Sequence, residues 1–317
     1  MFLVGIDLGG TNIAAGVVDE NKKIIGIGKM KTNSPRPAEE IVDDMATAVH
    51  MAVENASLEM SDIKEVGIGS PGSIDPINGI VTYSNNLQFS MLHLREMIEK
   101  RLDVKVFLDN DANAAAFGEQ LAGAGKGTKD FVAVTLGTGV GGGIIVDGKM
   151  LVGSNFAGGE LGHTVIILNG EQCTCGRKGC WEAYASATAL IRQTCEAMKK
   201  DTNSKMWGIA GYLKNVNGRT AFDGMRAGDK TACAVVDRYC EYVACGISNI
   251  INVFQPEVIC VGGGISKEGE TLLTPIRKFV EADRYTKSTD KQTVIKAAEL
   301  GNDAGIIGAA FLGSLYR

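Results

Sequence analysis

The chain has 317 residues, 45% of them hydrophobic and 22% charged, with a formal net charge of −5. That length is more than one core readily fills, so two domains are expected, and the composition is that of an ordinary globular protein. No basic run marks a nucleic-acid surface, no apolar stretch approaches the ~18 residues of a membrane span, and Met1–Ile6 is too short for a signal peptide ahead of Asp7, so no nucleic-acid or membrane partner is expected and the expected compartment is the cytoplasm.

Phe2–Asp7 reads as a strand, Gly9-Gly10-Thr11 as a turn, and Ile13–Val18 as a second strand. Lys23–Lys29 is a third strand-like run. Pro35 and Pro37 open a helix whose apolar residues, Ile41, Met45, Ala48, Val49, Ala52 and Val53, fall on one stripe. Val66–Ser70 is a short strand stopped by the turn Pro71-Gly72. A helix is predicted over Met91–Leu102, then a strand, Val104–Leu108, that runs into Asp109-Asn110-Asp111. An alanine-rich helix, Ala112–Ala122, starts at once.

The opening theme then returns. Phe131–Leu136 is a strand, Gly137-Thr138-Gly139 a turn and Gly143–Asp147 a strand. The recurrence predicts two related α/β domains. The expected smaller one spans 1–117 with 301–317, and the larger spans 118–300. Helices follow at Ala183–Lys199 and Thr231–Val253, and the strand Glu257–Val261 enters Gly262-Gly263-Gly264. The last apolar helix, Ala304–Leu315, is rich in small residues and is expected to pack back on the first domain.

The run from Glu160 to Glu182 carries the most specific chemistry. His163, Cys173, Cys175 and Cys180 offer one imidazole and three thiolates, a closed tetrahedral zinc set of the structural kind. Gly176 and Gly179 give the chain the turns it needs for Cys175 and Cys180 to reach one ion. Cys195, Cys233, Cys240, Cys245 and Cys260 read instead as small core residues. A metal that folds this loop also fixes Glu160 and Glu182, and rigid carboxylates suit the adjacent hydroxyls of a polyol. Both acids are expected beside the metal loop and away from the glycine hairpins.

Those hairpins are phosphate candidates. In Asp7-Leu-Gly-Gly-Thr11 the glycines let main-chain N–H groups approach phosphate oxygens, Thr11 adds a hydroxyl, and Asp7 is placed to hold Mg²⁺ through water. Leu136-Gly-Thr-Gly139 follows the same logic. Gly137-x-Gly139-x-x-Gly142 matches a dinucleotide fingerprint only in letters, because Gly143-Ile-Ile-Val is strand-like where a helix is required. Gly125-Lys126-Gly127-Thr128 is likewise a solvated loop rather than a P-loop. Asn110-Asp111 stands where a strand ends and a helix begins. An aspartate there can take a hydroxyl proton in phosphoryl transfer, or it can simply cap the helix. The three glycines at 262–264 leave room for a flat ring or ribose against the backbone, or make a strand–helix turn.

Together these residues resemble the ROK family of sugar kinases and repressors, within the actin/hexokinase/Hsp70-like ATPase fold. The likeness runs through Asp7–Thr11, Asn110-Asp111, Gly137–Gly143, Glu160-x-Gly-His163, Cys173 to Glu182 and Gly262–Gly264. It implies two actin-like ATPase (ribonuclease H-like) domains flanking a ligand cleft that binds ATP with Mg²⁺. It implies transfer to the 6-hydroxyl of a hexose, glucose first, with fructose, mannose, N-acetylmannosamine and allose as alternatives. Asp111 would be the general base and Asn110 would bind a neighbouring hydroxyl. Glu160, His163 and Glu182 would hold the anomeric end, His163 by the side not given to zinc. Asn86 stands where the family often has Pro-Asn-Leu, here Asn85-Asn86-Leu87. The nucleotide would be met by Asp7, Gly9, Gly10, Thr11, Asn12, Thr138, Gly139, Gly262, Gly263 and Gly264, with Thr11-Asn12 in place of the common Thr-Lys. A homodimer or homotetramer is expected. Family repressors carry a helix-turn-helix ahead of the first strand, and six residues precede Asp7, so a kinase rather than a regulator is the expectation.

Overall fold

The structure is a computed structural model that describes residues 2–316. The apolar N-terminal runs form β1 (Phe2–Leu8), β2 (Asn12–Val18) and β3 (Ile24–Lys31), an antiparallel meander. β4 (Ile63–Ser70) pairs with β1 in parallel. A small sheet follows, β5 (Ser73–Asp75), β6 (Ile80–Ser84) and β7 (Phe89–Leu92), before β8 (Lys105–Asn110) completes the first sheet in the order β3-β2-β1-β4-β8. The second sheet uses β9 (Phe131–Leu136), β10 (Val140–Val146), β11 (Lys149–Met150), β12 (Val258–Gly262) and β13 (Val294–Ala297), in the order β11-β10-β9-β12-β13. Within its own set each sheet runs third, second, first, fourth, fifth. That shared order is the duplication that the repeated glycine turns pointed to.

The helices are α1 (Ala38–Asn55), α2 (Leu94–Leu102), α3 (Asp111–Ala122), α4 (Glu182–Ala185), α5 (Ala187–Lys200), α6 (Met206–Ala210), α7 (Thr220–Arg226), α8 (Lys230–Phe254), α9 (Glu270–Asp283) and α10 (Asp303–Ala310). By contact density the chain divides into two units. One holds the chain up to Ala133, Gly143–Gly159 and the chain from Glu299 on; the other holds Val134–Gly142 and Glu160–Ala298.

In the first unit, α1 buries the predicted stripe from Ile41 to Val53. It lies so close to β3 that a Cβ at Gly28 would collide with the Ala48 carbonyl. α10 does the same to the other strands and packs on β1, β4 and α3. A Cβ at Gly67 would strike its Ala309 carbonyl, and one at its own Gly308 would strike Ala114 of α3. The small residues of α10 are therefore the condition for backbone-to-backbone approach. It stops at Ala310, and a 3-10 turn, Leu312–Ser314, replaces the predicted last helical turn.

In the second unit, α8 buries Val235, Val236, Tyr239, Val243, Ile247 and Ile250 along one face. The loop carrying Cys173, Cys175 and Cys180 docks on it through fully buried Trp181, whose Nε1 donates to the Tyr242 carbonyl at 2.8 Å. Two predicted elements are corrected and one helix is added. The segment Met91–Leu102 begins as strand, because Phe89–Leu92 pairs with β6, and the helix starts only at Leu94. The segment Ala183–Lys199 breaks at Ser186, whose side chain accepts Ala189 N–H at 3.1 Å and caps α5. α9, with Pro275 inside it, was not expected as a helix. No helix among the described residues is long and apolar enough to cross a membrane.

Candidate active site

In the first unit the turn after β1 is closed by Gly9 N–H on the Asn12 carbonyl at 2.9 Å. Thr32, just past β3, pins it twice: its hydroxyl donates to the Gly9 carbonyl at 2.6 Å and its N–H to the Thr11 carbonyl at 3.0 Å. The turn edges a cavity of about 540 Å³ whose walls include Asp7, Gly10, Thr11, Asn12, Lys29 and Asp303. Lys31 Nζ reaches Asn12 Oδ1 at 2.7 Å. Burial, and then the charge of Asp111, push the Asp7 carboxyl from 3.8 up to about 6. Two sequence candidates, Asp7 and Asp111, are therefore electrostatic neighbours.

Asp111 opens α3 and its Oδ1 accepts Ala112 N–H at 2.9 Å, but the residue at the cap position is Asn110. Its Oδ1 accepts the N–H of Ala112 at 2.8 Å and of Asn113 at 3.3 Å, and its Nδ2 donates to the Gly72 carbonyl at 3.0 Å. Any bond from Asn110 to a ligand thus falls mainly to its second amide hydrogen. Behind the pair lies buried Asp109. It accepts Asn110 N–H at 2.6 Å, Asn113 Nδ2 at 3.0 Å and the hydroxyl of Tyr316. Burial raises the Asp109 carboxyl above its ordinary value. Sequence reading missed this support, since Tyr316 is 207 positions away and no local signal joins them. Asn86 lies beside the first hairpin: its Cβ is 3.7 Å from where a Gly10 Cβ would stand, and its carbonyl accepts Ser34 Oγ at 2.8 Å.

In the second unit one ligand atom each from His163, Cys173, Cys175 and Cys180 falls within 4.8 Å of all the others. His163 Nδ1 is 3.6 Å from Cys173 Sγ, and Cys175 Sγ is 3.7 Å from Cys180 Sγ. Tetrahedral zinc bonds require edges of about 3.6 Å for N···S and about 3.8 Å for S···S. The donor set fits the ion. The fit also assigns the ring: Nδ1 faces the thiols, which leaves Nε2 pointing elsewhere. Gly179, with φ 83°, makes the return turn, where a Cβ would collide with the Ile167 carbonyl.

Glu160 precedes the 3-10 turn Leu161–His163, and its residue is exposed. Glu182 differs from expectation. Its Oε1 accepts from Thr174 Oγ1 at 3.2 Å on the metal loop, but its Oε2 accepts Val140 N–H at 2.9 Å at the second hairpin. It is not remote from the glycine turns. The same turn is held by Ala187 N–H on the Gly137 carbonyl and by Thr188 Oγ1 on the Thr138 carbonyl, each at 2.8 Å. Of the three glycines that end β12 and open the turn beyond it, Gly263 has φ 86° and presses on the Leu136 backbone, so the turn itself requires it. A Gly262 Cβ would stand 3.3 Å from the Ala298 Cβ, and only Gly264 has nothing within 4 Å.

The family model described as ROK matches residues 3–314. The chain belongs to the ROK family. A glucokinase of Thermotoga maritima is 41% identical to this ROK chain, with 97% of this chain and 96% of that protein covered. A glucokinase of Halalkalibacterium halodurans is 36% identical, covering 98% and 94%. Among solved structures, a ROK family glucokinase from Streptomyces griseus in complex with glucose and AMPPNP superposes with a TM-score of 0.81 at 36% identity, covering 98% of this chain and 99% of that one. The duplicated sheets of this ROK chain are those of the actin-like ATPase fold.

Proposed function

We propose that this chain is an ATP-dependent hexokinase that phosphorylates a hexose at the 6-hydroxyl, with glucose preferred. The observation that carries the reading is the split of duties at Asn110-Asp111. Asn110 caps α3 through Ala112 and Asn113, so the bond that Asp111 Oδ1 accepts from Ala112 N–H at 2.9 Å is not the helix's sole cap. Its likeness to glucokinases over nearly the whole chain supports glucose as substrate.

In this reading Asp111 accepts the 6-hydroxyl proton as the oxygen bonds to the terminal phosphorus of ATP and the bond to the ADP oxygen breaks. The backbone groups of Gly9–Asn12 and Gly137–Gly139 meet the phosphates, and Gly264 offers the open surface for the nucleoside. Asp7 is the residue to hold Mg²⁺ through water, because a divalent charge relieves its repulsion from Asp111. Glu160, Glu182 and His163 Nε2 hold the anomeric end, and Asn110 and Asn86 hold other hydroxyls. Each carboxylate oxygen of Glu182 can accept a second hydrogen bond, so its protein contacts do not exhaust it. Zinc, when bound, orders the loop that carries these groups; its four ligands leave no open position for substrate.

The test is ADP release coupled to a reporter, measured over glucose, mannose, fructose, N-acetylmannosamine and allose. Glucose is expected to give the highest kcat/KM. Release with no hexose, under Mg²⁺ and ATP, would overturn the activity; a clear preference for another sugar would overturn the substrate.

A further inference from the structure

We propose that Glu182 is a positioning residue for the second phosphate hairpin, tying it to the metal loop. The proposal rests on the reading that Gly137–Gly139 meets the nucleotide phosphates. Each carboxylate oxygen serves one partner structure. Oε1 accepts from Thr174, between two of the metal-ligating cysteines, and Cys173 Sγ lies 3.8 Å from it. Oε2 accepts the N–H of Val140, the first residue beyond the turn. A Cβ at Gly139 would collide with that same oxygen. Glycine at 139 is therefore what lets the carboxylate lie against the hairpin, a reason separate from any ligand.

A carboxylate is a poor neighbour for a phosphate. Like charges a few ångströms apart repel, and nothing about sugar recognition requires an oxygen of Glu182 to be spent on the hairpin. Its presence there makes sense as a strut. A hydrogen bond to a charged group is worth more than one between neutral groups, and this one fixes the exit of a turn whose Gly137 and Thr138 carbonyls are held by Ala187 and Thr188. The short segment from Glu182 to Thr188 thus grips the turn at Gly137, Thr138 and Val140. Order in the metal loop reaches the phosphate site through it, and the dependence should be visible with no sugar present.

The experiment measures AMPPNP affinity by calorimetry on the zinc-loaded protein without sugar, with metal content determined for every variant. Glu182→Ala is expected to weaken binding about tenfold, the loss of one charge-assisted bond. Gly139→Ala should do the same by pushing the carboxylate off the hairpin while leaving Glu182 in place. The double variant should be no weaker than either single one, because both break one contact. Glu182→Gln keeps an acceptor for Val140 N–H and removes the charge, so its nucleotide affinity should stay within about threefold of wild type while its KM for glucose rises. Additive losses in the double variant, an unchanged Glu182→Ala, or a Glu182→Gln as weak as Glu182→Ala would each overturn the proposal. If Glu182→Ala loses metal or does not fold, Gly139→Ala and Glu182→Gln decide it alone: Gly139→Ala binding like wild type overturns it. Wild type failing to bind AMPPNP would instead overturn the nucleotide reading beneath it.

Discussion

The two glycine hairpins are alike in letters and unlike in support. Leu8-Gly-Gly-Thr11 follows Asp7; Leu136-Gly-Thr-Gly139 follows Thr135. The first turn is held by a neighbouring strand end, through Thr32, and brings a carboxyl that its surroundings push up to about 6. The second brings no charge of its own and is held by Glu182 and the start of α5. A motif supplies the backbone shape, and the neighbours decide what the shape depends on. The first hairpin should answer to cations and pH, the second to the metal loop.

The largest break in that comparison should come from Cys175→Ser. Wild type is expected to hold one zinc per chain by elemental analysis, and the variant none. With its loop freed, KM for glucose should rise more than about tenfold, and nucleotide affinity should fall through Glu182, while the Mg²⁺ response of the first hairpin persists. A metal-free variant with undiminished activity would contradict the site.

Asp7→Asn probes the first hairpin alone. A carboxyl raised by folding binds its proton more tightly folded than unfolded. It therefore costs stability as pH rises from 3.8 to about 6, and the deficit is constant above that. In Mg²⁺-free, zinc-loaded protein at pH 7.5 the variant should melt about 2–5 °C higher than wild type, with the gap closing as pH falls through that window. Millimolar Mg²⁺ should stabilise wild type and not the variant, and the variant should lose Mg²⁺-dependent nucleotide affinity. A gap that does not change with pH would mean that Asp7 is not strained by burial.

The smallest effect concerns Gly262–Gly264, which serves the second hairpin's side of the comparison. Gly263→Ala should cost about 1–3 kcal/mol, because φ is 86° and the added Cβ meets Leu136. Gly264→Ala should cost within about 0.5 kcal/mol and still weaken nucleotide binding, since that position is open and helical in φ and ψ. Melting curves and calorimetry separate the two. Unchanged nucleotide affinity in Gly264→Ala would make the glycines a turn and nothing more.

What was legible in the sequence follows from where the physics is local. The His163 and cysteine donors were readable because ligand chemistry and turn glycines lie within one short run; the choice of Nδ1 was not, because it depends on how the ring is packed. The stripe of α1 and the return of the strand–turn–strand theme were periodic signals. β5, β6 and β7 were missed because three to five residues are too few to show alternation. The second role of Glu182 and the backing of Asp109 by Tyr316 are contacts between distant segments, which spacing cannot encode. The same holds for Asn110, where only the closed hydrogen bonds show that it takes the N–H of both Ala112 and Asn113 while Asp111 shares only the first.

The central claim is that Asp111 takes the sugar proton and does not hold the fold. The direct measurement is single-turnover phosphoryl transfer from ATP to glucose by wild type and Asp111→Asn, with glucose binding measured on the same samples. The account predicts glucose 6-phosphate from wild type, a transfer rate about 10²–10⁴-fold lower in the variant, and glucose affinity and melting temperature nearly unchanged. Transfer by Asp111→Asn at close to the wild-type rate would contradict it.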